Sequence, residues 1–565
     1  MTLEHFLELG LLIVPAVGAV VAAAMGPRRT EAVRWLSVGV AVAVLLFAAV
    51  LAVRFAALER PGPPADIRTP LTFTPEFVVG ATADDRHATD LEMLPLGDAA
   101  VQFFIGIDGL NIWLIVLTAV LVLPCVLVSW THVSERTNEF YAWLLLLQSC
   151  MFGVFLAFDI ILFYVFFELS LIPLFFLIGI WGGPERRHAA RKFFIYTLTG
   201  SLLTLLGLLA IVVACHNQGG YTLTFSIPAL VENVHKELAM QDPVRRAFWG
   251  RIQLLVFLLM VAGFAVKVPL VPLHTWLPLA HVEAPTAGSV DLAGVLLKIG
   301  AYGFLRLCIP LAPDVSLSVG LPLVTTLAAI GIVYGAFCAY SQNDVKRLIA
   351  YSSVSHLGTC MIGMFSLTAV GLAGSLMQML NHGLSTAALF LLVGVIYERY
   401  HTRKLSDYGG MAQRLPYFGL FLVFITLSSV GLPGLNGFVS EALCLMGIME
   451  QEARYGDGPW LTVVAVSGMI FGAWYLITML RRLLFGAVKE PEHHGAPVGD
   501  LNLREWVMLA PIAVLCLVLG VYPQPVLETA RPGLETVSSI AGRARYRAAH
   551  PLPELATADQ ASGGR

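Results

Sequence analysis

Charge is scarce in this chain. Of its 565 residues only 13% are Asp, Glu, Lys or Arg, against 57% hydrophobic, where soluble domains carry roughly 25% charged residues. No basic block occurs and the net charge is −3, which argues against nucleic acid or a strongly anionic partner. Paired cysteines are missing too. Eight cysteines stand singly, mostly within apolar stretches, with no CxxC pair, so neither a disulfide framework nor an iron–sulfur site is indicated, and buried thiols are expected. The sequence also has no Gly-rich nucleotide loop after a strand, no HExxH and no nucleophile elbow, which argues against flavin, haem, cluster or nicotinamide on this chain.

What the chain does have is apolar length. Runs such as Leu110–Val128, Tyr196–Val213 and Leu317–Cys338 approach or reach the roughly 20 residues a bilayer crossing needs, and they recur from end to end. The expected fold is an all-α polytopic membrane protein with about fourteen spans. They begin near Phe6, Val33, Gly109, Tyr141, Ile160, Phe193, Ile252, Ala287, Leu317, Leu348, Ala369, Tyr417, Leu461 and Trp506. The first is read as a retained helix, because Glu4 and Glu8 precede or enter it and no A-x-A site leads to a soluble domain.

Four segments are polar: Arg54–Gln102, Cys215–Arg251, Phe485–Arg504 and the tail after Pro523. The first is rich in Pro, Asp and Glu and is expected to be an extramembrane loop. The third holds the polar-loop pair His493–His494, and the tail is expected to lack a long amphipathic helix. The expected organisation is two N-terminal spans (1–53), the polar loop (54–102), a membrane core (103–525) and a polar tail (526–565). Arg28, Arg29 and Arg34, then Arg186, Arg187, Arg191 and Lys192, then Lys346 and Arg347, then Arg399, Arg403 and Lys404, and finally Arg481 and Arg482 all follow odd-numbered spans. These basic loops are expected to face the cytoplasm, with both termini outside. Arg245, Arg246 and Arg251 run against that pattern.

Against this background, four charges inside apolar spans call for an explanation: Glu168, Lys267, Lys298 and Glu441. A Lys, Arg or Asp at the centre of a spanning helix costs about 2.5–3.5 kcal/mol on insertion scales. Residues there either bind helices together or pass protons or an ion.

Two spans also carry helix breakers. The seventh reads from Phe264 through Lys267, Pro269 and Pro272, and the twelfth from Ser428 through Gly431, Pro433, Gly434 and Gly437. Proline removes a backbone donor and clashes with the preceding turn, so each helix should break. Broken helices at membrane depth line cavities or ion paths, often in inverted-repeat folds.

Lys267 is the candidate central proton carrier and Glu168 its charge partner, since a carboxylate nearby favours the lysine's charged form while burial opposes it. A passive ion pair between helices is the alternative. Lys298 lies mid-span, unlike Arg306, which is close enough to a span end to snorkel. Asp291, seven residues before Lys298, shares its helix face and is expected to pair with it through water. His382 and His356 have hydroxyls close by in sequence and titrate in a useful range; satisfied interior histidines are the alternative. Glu441 follows the second break and could end the relay outside or cap the restarted helix.

The run Phe264 to Ile299 (FAVKVPLVPLHTWLPLAHVEAPTAGSVDLAGVLLKI) resembles the signature of the antiporter-like subunits of respiratory complex I and of multisubunit sodium/proton antiporters. Similar runs start at Phe104 (FIGIDGLNIW), Phe166 (FFELSLIP), Asn343 (NDVKRLIAYSSVSHLG), Asn381 (NHGLSTAALF) and Gly431 (GLPGLNGFVSEAL), so the resemblance spans Phe104 to about Pro523. It implies fourteen helices with two inverted five-helix repeats and a proton path along Glu168, Lys267, Lys298, His382 and Glu441, with His356 a further candidate. It implies a translocase subunit without a redox centre of its own, with flavin, iron–sulfur clusters and quinone on partner subunits. Its partners would be other membrane-arm subunits, in a bacterial inner membrane. An antiporter or membrane-bound hydrogenase subunit, or a scaffold, remains open at this level. Two departures stand out: Leu279 where the family commonly has Asp, and Asp291 where it has an apolar residue. The 54–102 loop is also longer than usual for the family.

Overall fold

A computed structural model describes residues 2–58, 71–80, 89, 91–96, 99–456, 458–491 and 498–551. His493, His494 and parts of the 54–102 segment lie outside the described residues, as does the chain after 551.

Helices dominate. The order is α1 (Leu3–Met25), α2 (Thr30–Ala56), α3 (Ile112–His132), α4 (Thr137–Leu156), α5 (Ile160–Leu169), α6 (Leu171–Trp181) and α7 (Arg186–Gly219). Then come α8 (Ile227–Ala239), α9 (Pro243–Lys267), α10 (Leu277–Glu283), α11 (Thr286–Asp291), α12 (Leu297–Gly303), α13 (Ile309–Leu311), α14 (Pro313–Val315), α15 (Leu321–Tyr340) and α16 (Val345–Phe365). The chain continues through α17 (Ala369–Tyr400), α18 (Met411–Arg414), α19 (Pro416–Val430), α20 (Asn436–Tyr455), α21 (Trp460–Leu484), α22 (Leu503–Val521) and α23 (Gln524–Ala549). Among the described residues, thirteen helical stretches are long and apolar enough to span a membrane. The expected twelfth span is divided instead between α19 and α20.

Both expected breaks are present. α9 ends at Lys267 and the chain turns through the two prolines before α10, while Trp276 Nε1 donates to the freed Val266 carbonyl at 2.9 Å. α19 ends at Val430 and is capped by Gly431, whose φ of 79° is left-handed. Side chains rarely adopt that conformation, and a Cβ at Gly431 would also lie 2.7 Å from Glu441 Oε2.

Burial is graded across the bundle. The spans Thr286–Leu311 and Ala369–Tyr400 are enclosed on every side, whereas α22 has only 28% of its apolar window buried. Exposed Val213, Ile470 and Val514 belong to outer helices, as expected of surfaces facing lipid tails. Lys298 sits on one of the enclosed spans and His382 on the other, where solvent cannot offset a charge.

Several expectations are corrected by the fold. The tail is not simply polar: α23 is a 26-residue amphipathic helix that buries Val526, Ala530, Leu534, Val537, Ile540 and Ala541. It is pinned by Thr529 Oγ1, which accepts from Trp113 Nε1 at 2.6 Å, and by Arg547, which bonds Asp314 Oδ1 at 2.6 Å. The polar stretch 215–251 holds α8 and the start of α9, which begins at Pro243 rather than Ile252. Arg245 there pairs with Glu237 at 3.4 Å and Arg246 donates to the Arg547 carbonyl at 3.1 Å, which accounts for arginines on that side. The described parts of 54–102 carry short strands: β1 (Phe77–Val78) pairs antiparallel with β4 (Gly106–Ile107), and β2 (Glu92–Leu96) with β3 (Ala99–Gln102).

Candidate functional site

The candidates fall into two groups. In the first, Glu168 lies near the end of α5 and Lys267 closes α9. A cation at a helix C-terminus meets the negative end of the helix dipole, which helps hold Lys267 at the break. The expected ion pair between them is not closed: among the described residues no ion pair within 4.0 Å joins them. Lys267 Nζ instead lies 4.8 Å from the centre of the Phe167 ring, a cation–π contact. Glu168 Oε1 has no hydrogen-bond partner.

The second group forms a line with one gap, between its two histidines. Lys298 Nζ lies 2.7 Å from His382 Nδ1 and also donates to the Ala293 carbonyl. The His382 and His356 rings are 6.0 Å apart between centroids. His356 Nδ1 lies 3.2 Å from Glu441 Oε1, and Tyr475 Oη lies 3.4 Å from His356 Nε2. These side chains come from α12, α17, α16, α20 and α21, far apart in sequence.

The donors fix the ring states. An ammonium can only donate, so Lys298 makes His382 Nδ1 an acceptor and leaves a neutral ring's proton on Nε2. An ionised Glu441 can only accept, so His356 carries a proton on Nδ1 and its Nε2 accepts from Tyr475. Between the rings lies a small cavity, roughly the room of one water, lined by His356, Gln378, Asn381, His382, Ser385 and Glu441. Ser440 Oγ donates to Gln378 Oε1 at 2.5 Å, Asn381 Nδ2 to the Asn436 carbonyl at 2.6 Å, and Ser428 to Asn436, so the break itself is tied into the site. Glu441 bonds His356 through Oε1.

The two groups meet across Gly300, where a Cβ would lie 2.8 Å from Lys267 Cβ and 3.0 Å from the Val268 nitrogen. Only glycine lets α12 approach the broken end of α9 this closely.

Two expectations about this region need correction. Asp291 does not pair with Lys298: its Oδ1 accepts from Gln148 Nε2 at 2.9 Å and from the Cys125 thiol at 3.3 Å. A π-helical stretch, Leu292–Leu296, separates Asp291 from Lys298 along the span. Arg306 does not snorkel. It is fully buried, holds Asp108 through two bonds of 2.6 Å, and lies over the Phe73 and Phe158 rings.

Sequence reasoning missed Tyr475 and the inward position of Lys346. Lys346 reads as a loop charge, yet it is buried and donates to the Ala284 carbonyl at 2.5 Å. It lines a cavity of about 150 Å3 with Glu283, Thr286, His132 and Arg403, on the side of the basic loops. Its place two residues before the long helical run from Leu348 was a usable signal. Tyr475 gave none, standing in an apolar span without a polar neighbour. No group of His, Cys, Asp and Glu that could hold a metal ion occurs among the described residues.

Known proteins are similar to this chain in sequence and fold. NADH-quinone oxidoreductase subunit M of Rhodobacter capsulatus is 43% identical over 443 residues, covering 77% of this chain and 81% of the relative. NADH-ubiquinone oxidoreductase chain 4 of Arabidopsis thaliana is 37% identical over 532 residues, covering 93% and 97%. A chain of respiratory complex I from Thermus thermophilus with bound NADH superposes with a TM-score of 0.77 at 30% identity, covering 95% of this chain and 100% of that one. The Mrp complex from Dietzia sp. DQ12-45-1b shares the fold, with a TM-score of 0.75 at 20% identity over 96% of this chain and 100% of its own. Residues 157–472, which include both helix breaks and every candidate from Glu168 to Glu441, match the family described as NADH:quinone oxidoreductase/Mrp antiporter, TM, and with relatives this similar over most of their length the chain belongs to that family.

Proposed function

We propose that this chain is the M-type, proton-translocating membrane-arm subunit of an NADH:quinone oxidoreductase. The observation that carries the reading is the buried line Lys298, His382, His356, Glu441, in which each polar group faces the next inside enclosed spans. Lys298 protonates His382 Nδ1, the Nε2 proton passes through the small cavity to His356 Nε2 as that nitrogen gives up its hydrogen bond from Tyr475, and His356 delivers its Nδ1 proton to Glu441. Glu168 and Lys267 form the switch that feeds this line: when Glu168 swings toward Lys267 the ammonium is held, and when Phe167 separates them the proton moves on. Each proton moved outward works against about 2.3 kcal/mol per 100 mV. That work comes from quinone reduction elsewhere in the complex, so flavin, iron–sulfur clusters and quinone belong to partner subunits.

The partners are the other membrane-arm subunits, especially the antiporter-like L and N subunits. Glu441 supports the M assignment, because L and N members of the family carry lysine there. The inverted five-helix repeats and a bacterial inner membrane with cytoplasmic basic loops belong to the same reading. The paired breaks after Lys267 and before Asn436 support the repeats. The Mrp likeness favours a second reading, a subunit of a multisubunit cation/proton antiporter or related hydrogenase. Purification of the native assembly separates the two: copurified flavin and iron–sulfur subunits are expected, and an assembly without them sinks the first reading. A His382→Ala variant that assembles but pumps at the wild-type rate would remove the relay itself.

A further inference from the structure

Asp291 is buried in the eighth span, and the relay above makes no use of it. Its Oδ1 accepts from the Gln148 amide of α4 and the Cys125 thiol of α3. Its Oδ2 has no partner, and neither has Oε1 of Gln148. Two side chains already joined through one pair of polar atoms thus leave one acceptor each unpaired. A single proton on Oδ2, donated to Oε1, satisfies both and closes a two-point acid–amide pair. Without that proton a carboxylate would stand fully buried on an amide and a thiol, with no cation within 4.0 Å among the described residues. Charges buried so are paired or neutralised.

Its position gives the proton a use. α11 starts at Thr286, which lines the cavity on the basic-loop side together with Glu283 and Lys346. Asp291 lies about 7.5 Å along the helix from Thr286 and Lys298 about 18 Å, at 1.5 Å per residue. Asp291 therefore stands between the open mouth and the first residue of the buried line. The Lys298 side chain turns back to the Ala293 carbonyl, toward Asp291. The intervening π-helical stretch is a device that recurs at functional sites.

We propose that Asp291 is a second proton-loading residue of Lys298, beside the Lys267 switch, holding one proton in a neutral acid–amide pair with Gln148. After Lys298 has given a proton to His382, the Asp291 Oδ2–H bond breaks and an N–H bond forms on the neutral Lys298 amine. The resulting carboxylate then recovers its proton from the mouth. The titratable groups around it are Cys125 on α3 and Lys298 on its own span, with His281 and Lys346 toward the mouth. The delivery step rests on the relay proposed above; the protonated pair does not.

Infrared difference spectroscopy of the assembled complex at neutral pH tests the pair. Asp291→Asn is expected to remove one carbonyl band of a protonated carboxylic acid, and Gln148→Leu to shift that band. Loss of a carboxylate band in its place overturns the proposal. NADH-driven proton pumping in proteoliposomes tests delivery: Asp291→Asn is expected to slow it at least twofold, while NADH oxidation by an artificial acceptor stays unchanged. Wild-type pumping in Asp291→Asn, with Lys298→Ala inactive, overturns the loading role and leaves the relay standing. Wild-type pumping in an assembled Lys298→Ala variant overturns the relay.

Discussion

Glu168 with Lys267 and Lys298 with His382 are two encounters of a buried lysine with a titratable partner, built to opposite effect. At the first, the lysine contacts an aromatic ring and no ion pair with the carboxylate is closed. At the second, the two nitrogens are 2.7 Å apart and the chain of contacts runs on to Glu441. A contact made and broken by a small movement suits a switch, because pairing changes what each state of the lysine costs. A contact already closed suits conduction. The difference also explains why α9 is broken at Lys267, while Lys298 rides on an unbroken, fully enclosed span.

If that contrast is sound, removing the switch has the largest effect. Lys267→Ala is expected to lower NADH-driven proton pumping at least tenfold, about 1.4 kcal/mol of barrier or more, in a complex that still assembles on native gels. A variant that pumps with normal coupling but fails to assemble would make these charges a scaffold. Phe167→Leu removes the ring that Lys267 contacts; if that ring is the gate, the pair should then stay closed, and pumping should fall roughly three- to tenfold, about 0.7–1.4 kcal/mol, with assembly intact. Unchanged pumping would show that the ring is no gate. On the conducting side, Tyr475→Phe takes away the donor to His356 Nε2 and so the lock on its ring state. A fall of about twofold is expected, together with a changed pH profile of pumping; equal profiles would leave Tyr475 a packing residue.

The smallest effect lies outside the spans and controls for general instability. Burial, then the charges of Arg547 and Arg543, pushes the His235 pKa from 6.5 down to about 3. The unfolded chain therefore takes up this proton first, and the stability of the α8 region falls as pH drops from 6.5 toward 3. His235→Phe should raise the thermal transition at about pH 5 by a few degrees and leave it unchanged at pH 8. A gain of the same size at both pH values would assign the effect to packing alone.

Much of this site is legible in the residues. Charges in long apolar runs announce themselves because a bilayer offers them no solvent, and prolines beside Lys267 and after Gly431 announce the breaks because they cannot continue a helix. Partners are less legible. Asp291 looks paired with Lys298 at a spacing of seven, until Gln148 and Cys125, from two other helices, prove to hold it. Arg306 looks free to snorkel, until Asp108, almost two hundred positions earlier, proves to hold it inside. The tail looks merely polar because its apolar residues are spread over a helix face with arginines between them, and only the surface it covers shows the face to be buried.

Sequence alone determined that this is a polytopic membrane protein of the antiporter-like family, with charged residues and helix breaks at set depths, because hydrophobic length and local backbone chemistry are properties of neighbouring residues. Tertiary structure decided which charges meet. The line from Lys298 to Glu441 draws on α12, α17, α16 and α20, and contacts within 3–4 Å between helices depend on crossing, rotation and the close approach a glycine permits. No spacing along one chain can specify those.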